Sequence, residues 1–309
     1  MTNVAIVGAG LIGRAWAIVF ARAGFAVSLW DQIPVQTAAA LTFIADRLPE
    51  LRAAGLLPDE PETVMARIRP MQSLWEAVRE ADYIQESGPE RVDVKTGLFM
   101  ELERAARGHA VLASSSSGIP ASAFTEGLRT RQRCLVAHPV NPPYLVPVVE
   151  ICPAPWTEES VVERARAIMV AAGQVPATVK KEVEGFALNR LQGALLAEAF
   201  RLLADGVIEP ADLDALVKHG LGLRWSFMGP LETIDLNAPG GLEDYCHRYG
   251  PLYGRMQEQM RPLAWDAELV GRLHAERRTE VPANMQKVRQ EWRDRRLMAL
   301  LAHKAAQPE

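Results

Sequence analysis

The tightest constraint on the fold of this chain lies in its first two dozen residues. Val4-Ala5-Ile6-Val7 is an unbroken apolar run of the kind that forms a fully buried strand, and it leads into Gly8-Ala9-Gly10-Leu11-Ile12-Gly13, followed by helical periodicity over residues 14–23. Each glycine has a separate physical task. Gly8 permits a tight turn, Gly10 lets a phosphate approach backbone amides at a helix N-terminus, and Gly13 lets that helix pack closely on the strand. The spacing alone arises by chance in roughly one chain in ten of this length, given average glycine usage. Its placement between strand and helix is what carries weight, together with Asp31, which closes the next apolar run 18 positions after Gly13. These features predict a dinucleotide site formed by Gly8, Gly10, Leu11, Ile12, Gly13 and Asp31. A carboxylate at position 31 suits ribose hydroxyls and repels a 2′-phosphate, and Gln32-Ile33-Pro34 supply no positive charge, so the expected cofactor is NAD.

The rest of the chain divides by composition. Up to about residue 180, β-rich runs at 3–8, 26–30, 82–86, 110–114, 133–137 and 146–152 alternate with helical stretches, the pattern of a parallel sheet covered by helices. Residues 36–65 read as a helix pair broken near 55–61. Beyond residue 185 the β-branched runs stop, and amphipathic helices are expected at 186–205, 210–219 and 283–302. The predicted fold class is therefore α/β, with a Rossmann-type doubly wound sheet over residues 1–185 and an all-helical domain over 186–309. With 309 residues the chain is also longer than one core usually fills.

Charge and cysteine usage exclude several function classes. Against 34 basic side chains stand 38 acidic ones, a net charge of −4, so nucleic acid is not an expected partner. The cluster Arg289, Arg293, Arg295 and Arg296 is interleaved with Glu291 and Asp294 and reads as a solvated helix face. Charges interrupt every apolar stretch before it reaches about 18 residues, so no membrane partner is expected. The N-terminus lacks the form of a secretory signal, and Cys134, Cys152 and Cys246 form no C-x-x-C pair. A reducing, cytoplasmic setting without a metal site follows as the expectation. The apolar stripe Leu188, Leu191, Leu195, Ala199 and Leu202 points to a homodimer through the helical domain.

One histidine stands apart. His138 follows the apolar run 134–137 and opens the rigid turn His138-Pro139-Val140-Asn141-Pro142-Pro143, and Glu150 lies twelve residues later inside the apolar run 146–151. A carboxylate in such a run needs a partner. If the two strands pair across the turn, Glu150 orients His138 as a general base. The alternative is a buried histidine bonded to a backbone carbonyl, with Glu150 in a structural ion pair.

The order of these segments, with the four serines at 114–117 and Gly185-Phe186-Ala187-Leu188-Asn189-Arg190, resembles the 3-hydroxyacyl-CoA dehydrogenase family. The segments 136–144, 220–224, 229–238 and 290–294 are similar to its lambda-crystallin, or L-gulonate 3-dehydrogenase, branch. The resemblance implies NAD-dependent oxidation of a secondary alcohol at the β-carbon of an acid. His138 and Glu150 would form the base pair, with Ser117 on the reacting oxygen and Asn189 closing a site in an interdomain cleft. Glu90 and Lys95 would contact the cofactor, and Asn141 would join Ser117 and Asn189 in holding substrate. The choice among the serines is open by one position, because this run departs from the Asn-Thr-Ser-Ser of many acyl-CoA members.

Arg224 bears on the substrate. It precedes Gly229-Pro230 where smaller or uncharged residues are expected in acyl-CoA members, and a guanidinium there can grip a free carboxylate bidentately; the alternative is a salt bridge at the surface or dimer interface. The expected substrate is a small 3-hydroxy acid, L-gulonate foremost. Short 3-hydroxyacyl-CoA or 3-hydroxybutyrate, carnitine held by Trp225, Phe227 and Tyr144, and a non-catalytic crystallin-like role remain as alternatives.

Overall fold

The first strand, β1 (Asn3–Val7), lies third from one edge of an eight-stranded sheet. A computed structural model of the chain describes residues 2–307. The other strands are β2 (Ala26–Trp30), β3 (Ile68–Pro70), β4 (Tyr83–Glu86), β5 (Val111–Ser114), β6 (Cys134–Pro139), β7 (Val148–Pro153) and β8 (Val175–Thr178). Their spatial order is β3-β2-β1-β4-β5-β6-β7-β8. Every neighbouring pair is parallel except β6 with β7, which is antiparallel. The doubly wound α/β class is as expected. β3 and β8 escaped the sequence pattern because they are short edge strands carrying proline, and Ile68 and Pro176 offer little alternation to detect.

The two-residue period of the strands divides the core in two. On one face Val4, Ile6, Val27, Leu29, Tyr83, Val111, Ala113, Leu135 and Ala137 join one cluster. The intervening Ala5, Val7, Ile84, Leu112, Cys134 and Val136 join the other. With both faces covered, the strands read as continuous apolar runs, as parallel strands do. The helix Leu11–Arg22 is buried from Ala15 to Ala21 against the first cluster, with Trp16 and Phe20 fully inaccessible.

The chain forms two compact units, and the division differs from the expected one. Residues up to Asn189 form the first unit together with the stretch from Val288 onward, and Arg190–Lys287 form the second. The helix Gln286–Ala305 therefore belongs with the sheet, not with the helical domain expected over 186–309. The reason is its apolar edge: Met298 is 3% exposed and joins the first cluster, with Leu297 and Leu301 packed against it. In a linear reading this helix looked like its predecessors, since amphipathicity does not say which core a face will meet.

The second unit holds the helices Pro210–Leu216, Gly222–Trp225, Pro230–Asp235, Gly241–Gln259 and Ala267–Glu280. A π-helical turn, Val217–Leu221, follows the first of these, where an α-helix through residue 219 was expected. Few of the unit's side chains are fully buried, among them Leu203 and Leu269, and Phe200 stacks on Trp265 with ring centroids 4.2 Å apart.

The glycines are structurally unequal. A Cβ on Gly13 would lie 1.7 Å from the Gly8 carbonyl oxygen, and Gly8 has φ +99° with its own virtual Cβ 2.7 Å from the Ser87 carbonyl oxygen. Around Gly10 there is open space to 4 Å. We expect Gly13→Ala to force the first helix off the strand and cost on the order of 3 kcal/mol in chemical denaturation, and Gly10→Ala to leave the denaturation midpoint unchanged.

Candidate active site

The antiparallel pairing of β6 and β7 sets His138 directly opposite Glu150. Their side chains meet, with Nδ1 of His138 2.8 Å from Oε2 of Glu150, and each residue is about 5% exposed or less. The turn between the strands contains a cis Asn141–Pro142 bond. A carboxylate can only accept, so Nδ1 carries the hydrogen, and in the neutral imidazole the lone pair is on Nε2. Nε2 makes no hydrogen bond among the described residues.

The second oxygen of Glu150 is also committed. Oε1 accepts from the backbone N–H groups of Ala187 and Leu188, both at 2.9 Å, where the helix Leu188–Ala204 begins. The expected helix start at 186 is thus two residues early. Gly185 and Phe186 both take positive φ, +74° and +52°, and this bend aims the two amides at the carboxylate. Phe186 is fully buried and its ring lies 5.5 Å from that of His138. Burial works to raise the Glu150 carboxyl, yet the bonds from His138, Leu188 and Ala187 outweigh it and hold the group below the ordinary carboxylate range. One carboxylate therefore orients the imidazole and caps the helix.

Asn189 follows at once, and its Nδ2 donates to the Ser117 carbonyl at 2.6 Å. The four serines have distinct occupations. Ser114 donates to Oε2 of Glu86 at 2.5 Å, Ser115 is bonded by Trp16 and Gln85, and Ser116 has its one hydroxyl hydrogen shared between Glu90 and the Ile119 carbonyl. Ser117 is exposed, and its hydroxyl makes no hydrogen bond among the described residues. Within the run it is therefore the hydroxyl left available for a ligand.

Glu90 organises this loop. Its Oε1 accepts from the Ser116 hydroxyl at 2.7 Å and the amides of Ser117 and Gly118 at 2.9 and 3.1 Å. Partial burial opposes ionisation, but these bonds and the Lys95 charge keep its carboxyl below the ordinary range. Lys95 is 1% exposed, with Nζ 2.9 Å from Oε2 of Glu86, itself inaccessible, and 3.7 Å from Glu90. The resemblance placed Lys95 against the cofactor. Here its ammonium is turned inward onto Glu86, a buried carboxylate that also accepts from Gly88 N–H at 2.6 Å.

A cavity of about 770 Å³ opens where the carboxyl ends of β1, β2 and β4 meet, lined by Gly8, Gly10, Asp31, Ser87, Gly88 and Pro89, among others. Asp31 reaches from β2 to the glycine turn, where its Oδ2 accepts from Ala9 N–H at 2.7 Å and its Oδ1 from Ile33 N–H at 2.8 Å. The first helix has no side-chain cap and no acidic residue in its first turn, so the amides of Leu11 and Ile12 stay available to an anion. Open space at Gly10, free helix-terminal amides and a carboxylate at the wall fit a dinucleotide.

The remaining residues are placed as follows. Asn141 is exposed in the turn and hydrogen-bonds to none of the residues above. Tyr144, considered as an aromatic face for a cation, is 2% exposed in the first core cluster and presents no open ring. Arg224 lies in the second unit, half-exposed, its guanidinium without a hydrogen bond or salt bridge among the described residues. Sequence reasoning missed Glu86, Gln85 and the linker amides of 187 and 188. For Glu86 a signal existed, a carboxylate ending an apolar strand with a lysine nine positions on. For the amides none did, because backbone groups leave no trace in residue identity.

Comparison with known proteins divides the chain near residue 184. Residues 3–183 match the NAD-binding domain of 3-hydroxyacyl-CoA dehydrogenase, and residues 185–282 match its C-terminal domain. The chain belongs to the 3-hydroxyacyl-CoA dehydrogenase family. A lambda-crystallin homolog of Bos taurus is 43% identical over 312 residues, 99% of this chain and 97% of that protein. An L-carnitine dehydrogenase of Pseudomonas putida is 38% identical over 80% of this chain and 76% of its own length. Among solved structures, an NAD+ dependent 5-formyl-3-hydroxy-2-methylpyridine 4-carboxylic acid 5-dehydrogenase superposes with a TM-score of 0.86 at 26% identity, covering all of both chains. As a member of the 3-hydroxyacyl-CoA dehydrogenase family, the chain carries an NAD-binding domain and belongs among oxidoreductases acting on CH–OH groups. No helix among the described residues is long and apolar enough to cross a membrane.

Because its carboxyl is depressed in the fold, Glu150 stabilises the native state above the ordinary value of 4.5, and that contribution is lost as pH falls through the lower, folded value. Urea denaturation of wild type and Glu150→Gln should differ by on the order of 1 to 3 kcal/mol at neutral pH, and the gap should close below pH 4.5.

Proposed function

We propose that this protein oxidises the 3-hydroxyl of a small hydroxy acid, foremost L-gulonate, with His138 as general base. The observation that carries the reading is the buried His138–Glu150 pair, in which both carboxylate oxygens are engaged while Nε2 stays free. Nε2 takes the hydroxyl proton, and the resulting imidazolium is stabilised by a carboxylate already held ionised. Ser117 offers its free hydroxyl to the reacting oxygen, and Asn189 fixes the loop that presents it. Asn141 at the turn completes the polar surroundings of the substrate. NAD, bound at Gly8, Gly10, Leu11, Ile12, Gly13 and Asp31, supplies the hydride acceptor. Glu90 lies on the cofactor side of the same loop, with Lys95 and Glu86 holding the strand end beneath it.

The relatives narrow the substrate class. A lambda-crystallin homolog matches almost the whole chain, and the carnitine relative matches most of it; carnitine and gulonate share a free carboxylate beside a 3-hydroxyl. Arg224, with no acidic partner among the described residues, is the group we assign to that carboxylate. Carnitine stands as the second reading because Trp225 and Phe227, 42% and 67% exposed, flank Arg224 and can face a quaternary ammonium.

The protein acts in this reading as a homodimer joined through its second unit. Leu191, Leu216, Leu223, Leu231 and Leu236 of that unit are each more than 60% exposed, which is costly for a lone chain. A reducing, cytoplasmic compartment suits its three free thiols; that of Cys134 is pushed up to about 12 by burial, which makes it unreactive.

The test is NADH formation from gulonate, 3-hydroxybutyrate, carnitine and 3-hydroxybutyryl-CoA at alkaline pH. Gulonate should give the highest kcat/KM; a higher value with the thioester would overturn the reading, and no turnover of any would indicate a non-catalytic role. His138→Asn should lower kcat by roughly 10²–10⁴ while leaving NADH binding intact. Arg224→Met should raise KM for the free acid about tenfold or more, the worth of one charge-assisted hydrogen bond, at unchanged thermal stability. An unchanged KM refutes the clamp.

A further inference from the structure

A buried hydrogen-bond chain runs beneath the cofactor cavity, and its polarity is dictated by chemistry. Tyr83, Gln85 and Trp16 are fully inaccessible and Ser115 is 9% exposed. The Gln85 side-chain nitrogen lies 3.2 Å from the Ala137 carbonyl oxygen, which can only accept, so the amide orientation is fixed with Nε2 on that side. Oε1 must then accept, and it does so from the Tyr83 hydroxyl at 2.7 Å. Burial pushes the Tyr83 phenol well above its ordinary value and keeps it a donor.

The same Nε2 donates to Oγ of Ser115 at 2.6 Å, and Trp16 Nε1 donates to that oxygen at 3.1 Å. A hydroxyl oxygen has two lone pairs, and both are now taken. The remaining contact of Ser115, with Oγ of Ser87 at 3.0 Å, must therefore be one in which Ser115 donates. Ser87 is forced to accept, and its own hydrogen is free to point elsewhere. Ser87 is half-buried, its carbonyl backs the Gly8 turn, and it lines the same cavity as Gly8, Gly10 and Asp31.

We infer that Ser87 is a cofactor-binding residue whose hydroxyl is locked as a donor toward an acceptor oxygen of the dinucleotide by the Tyr83–Gln85–Ser115–Trp16 chain behind it. Ser115, Gln85 and Trp16 are positioning residues, since they act on the cofactor only through Ser87. A preset donor avoids the rotamer cost that a freely turning hydroxyl would meet on binding. The inference depends on NAD binding and is independent of which hydroxy acid is oxidised.

The experiment is equilibrium binding of NADH by nicotinamide fluorescence, with thermal melts of the cofactor-free protein. Ser87→Ala should raise the Kd about three- to tenfold, the range of one net hydrogen bond, without moving the cofactor-free melt. An unchanged Kd overturns the inference, and so does a rise accompanied by a lowered melt. The polarity is tested separately by neutron diffraction of the NADH complex, in which the Ser115 deuterium should lie on the Ser87 side and that of Ser87 on the cofactor side. The reverse order would overturn the locked-donor assignment. Absence of turnover with every hydroxy acid would damage the substrate reading and leave this one standing.

Discussion

The carboxylate of Glu150 is the interaction on which the site depends. One oxygen fixes the imidazole tautomer of His138, and the other collects two backbone amides at the start of the helix Leu188–Ala204. From there polar contacts continue, through Asn189 to the Ser117 carbonyl and through the Ser117 amide to Glu90 by hydrogen bonds, then across a 3.7 Å ion pair to Lys95, which is bonded to Glu86. A buried anion pays a desolvation penalty that only several donors can offset, and this one has three. Such a group ties together elements that are distant in sequence, since the neighbouring strand and the linker before the helix must both converge on it for it to stay ionised.

The cofactor side rests on close approach of backbones. Gly13 touches Gly8, and Gly8 touches Ser87, so the first helix, the end of β1 and the end of β4 interlock with no room for a side chain. That contact leaves Gly10 facing open space with helix-terminal amides beside it. Tight packing in one place and openness in the next come from three glycines spaced over six residues. Asp31 adds the link to β2 by accepting from the Ala9 amide, so the turn is held in shape by a residue that also lines the cavity.

Much of this was legible in the sequence, and for identifiable reasons. The glycine motif, Asp31, and the His138 and Glu150 pair could be read because strand periodicity and turn chemistry act over a few residues, and the antiparallel β6–β7 turn spans only twelve positions between the two side chains. Ser117 could be named but not separated from its neighbours. What separates them is the occupation of Ser114, Ser115 and Ser116 by Glu86, Gln85, Trp16 and Glu90, partners 26 or more positions away. For Lys95 the sequence likewise did not disclose the buried partner. Its residue type allows a phosphate or ribose contact, and only its burial beside Glu86 reveals an inward ion pair.

The last helix makes the same distinction at the scale of the fold. Local pattern was enough to specify an amphipathic helix over 283–302, found three residues later at Gln286–Ala305, because amphipathicity is a property of spacing along the chain. Which core receives Met298 and Leu301 was decided in three dimensions, where the sheet unit had an apolar surface left to cover. The direction of the hydrogen bond between Ser115 and Ser87 is likewise invisible in residue order. It follows from counting lone pairs once Trp16, Gln85 and Ala137 have been brought around one hydroxyl, and that convergence exists only in the folded chain.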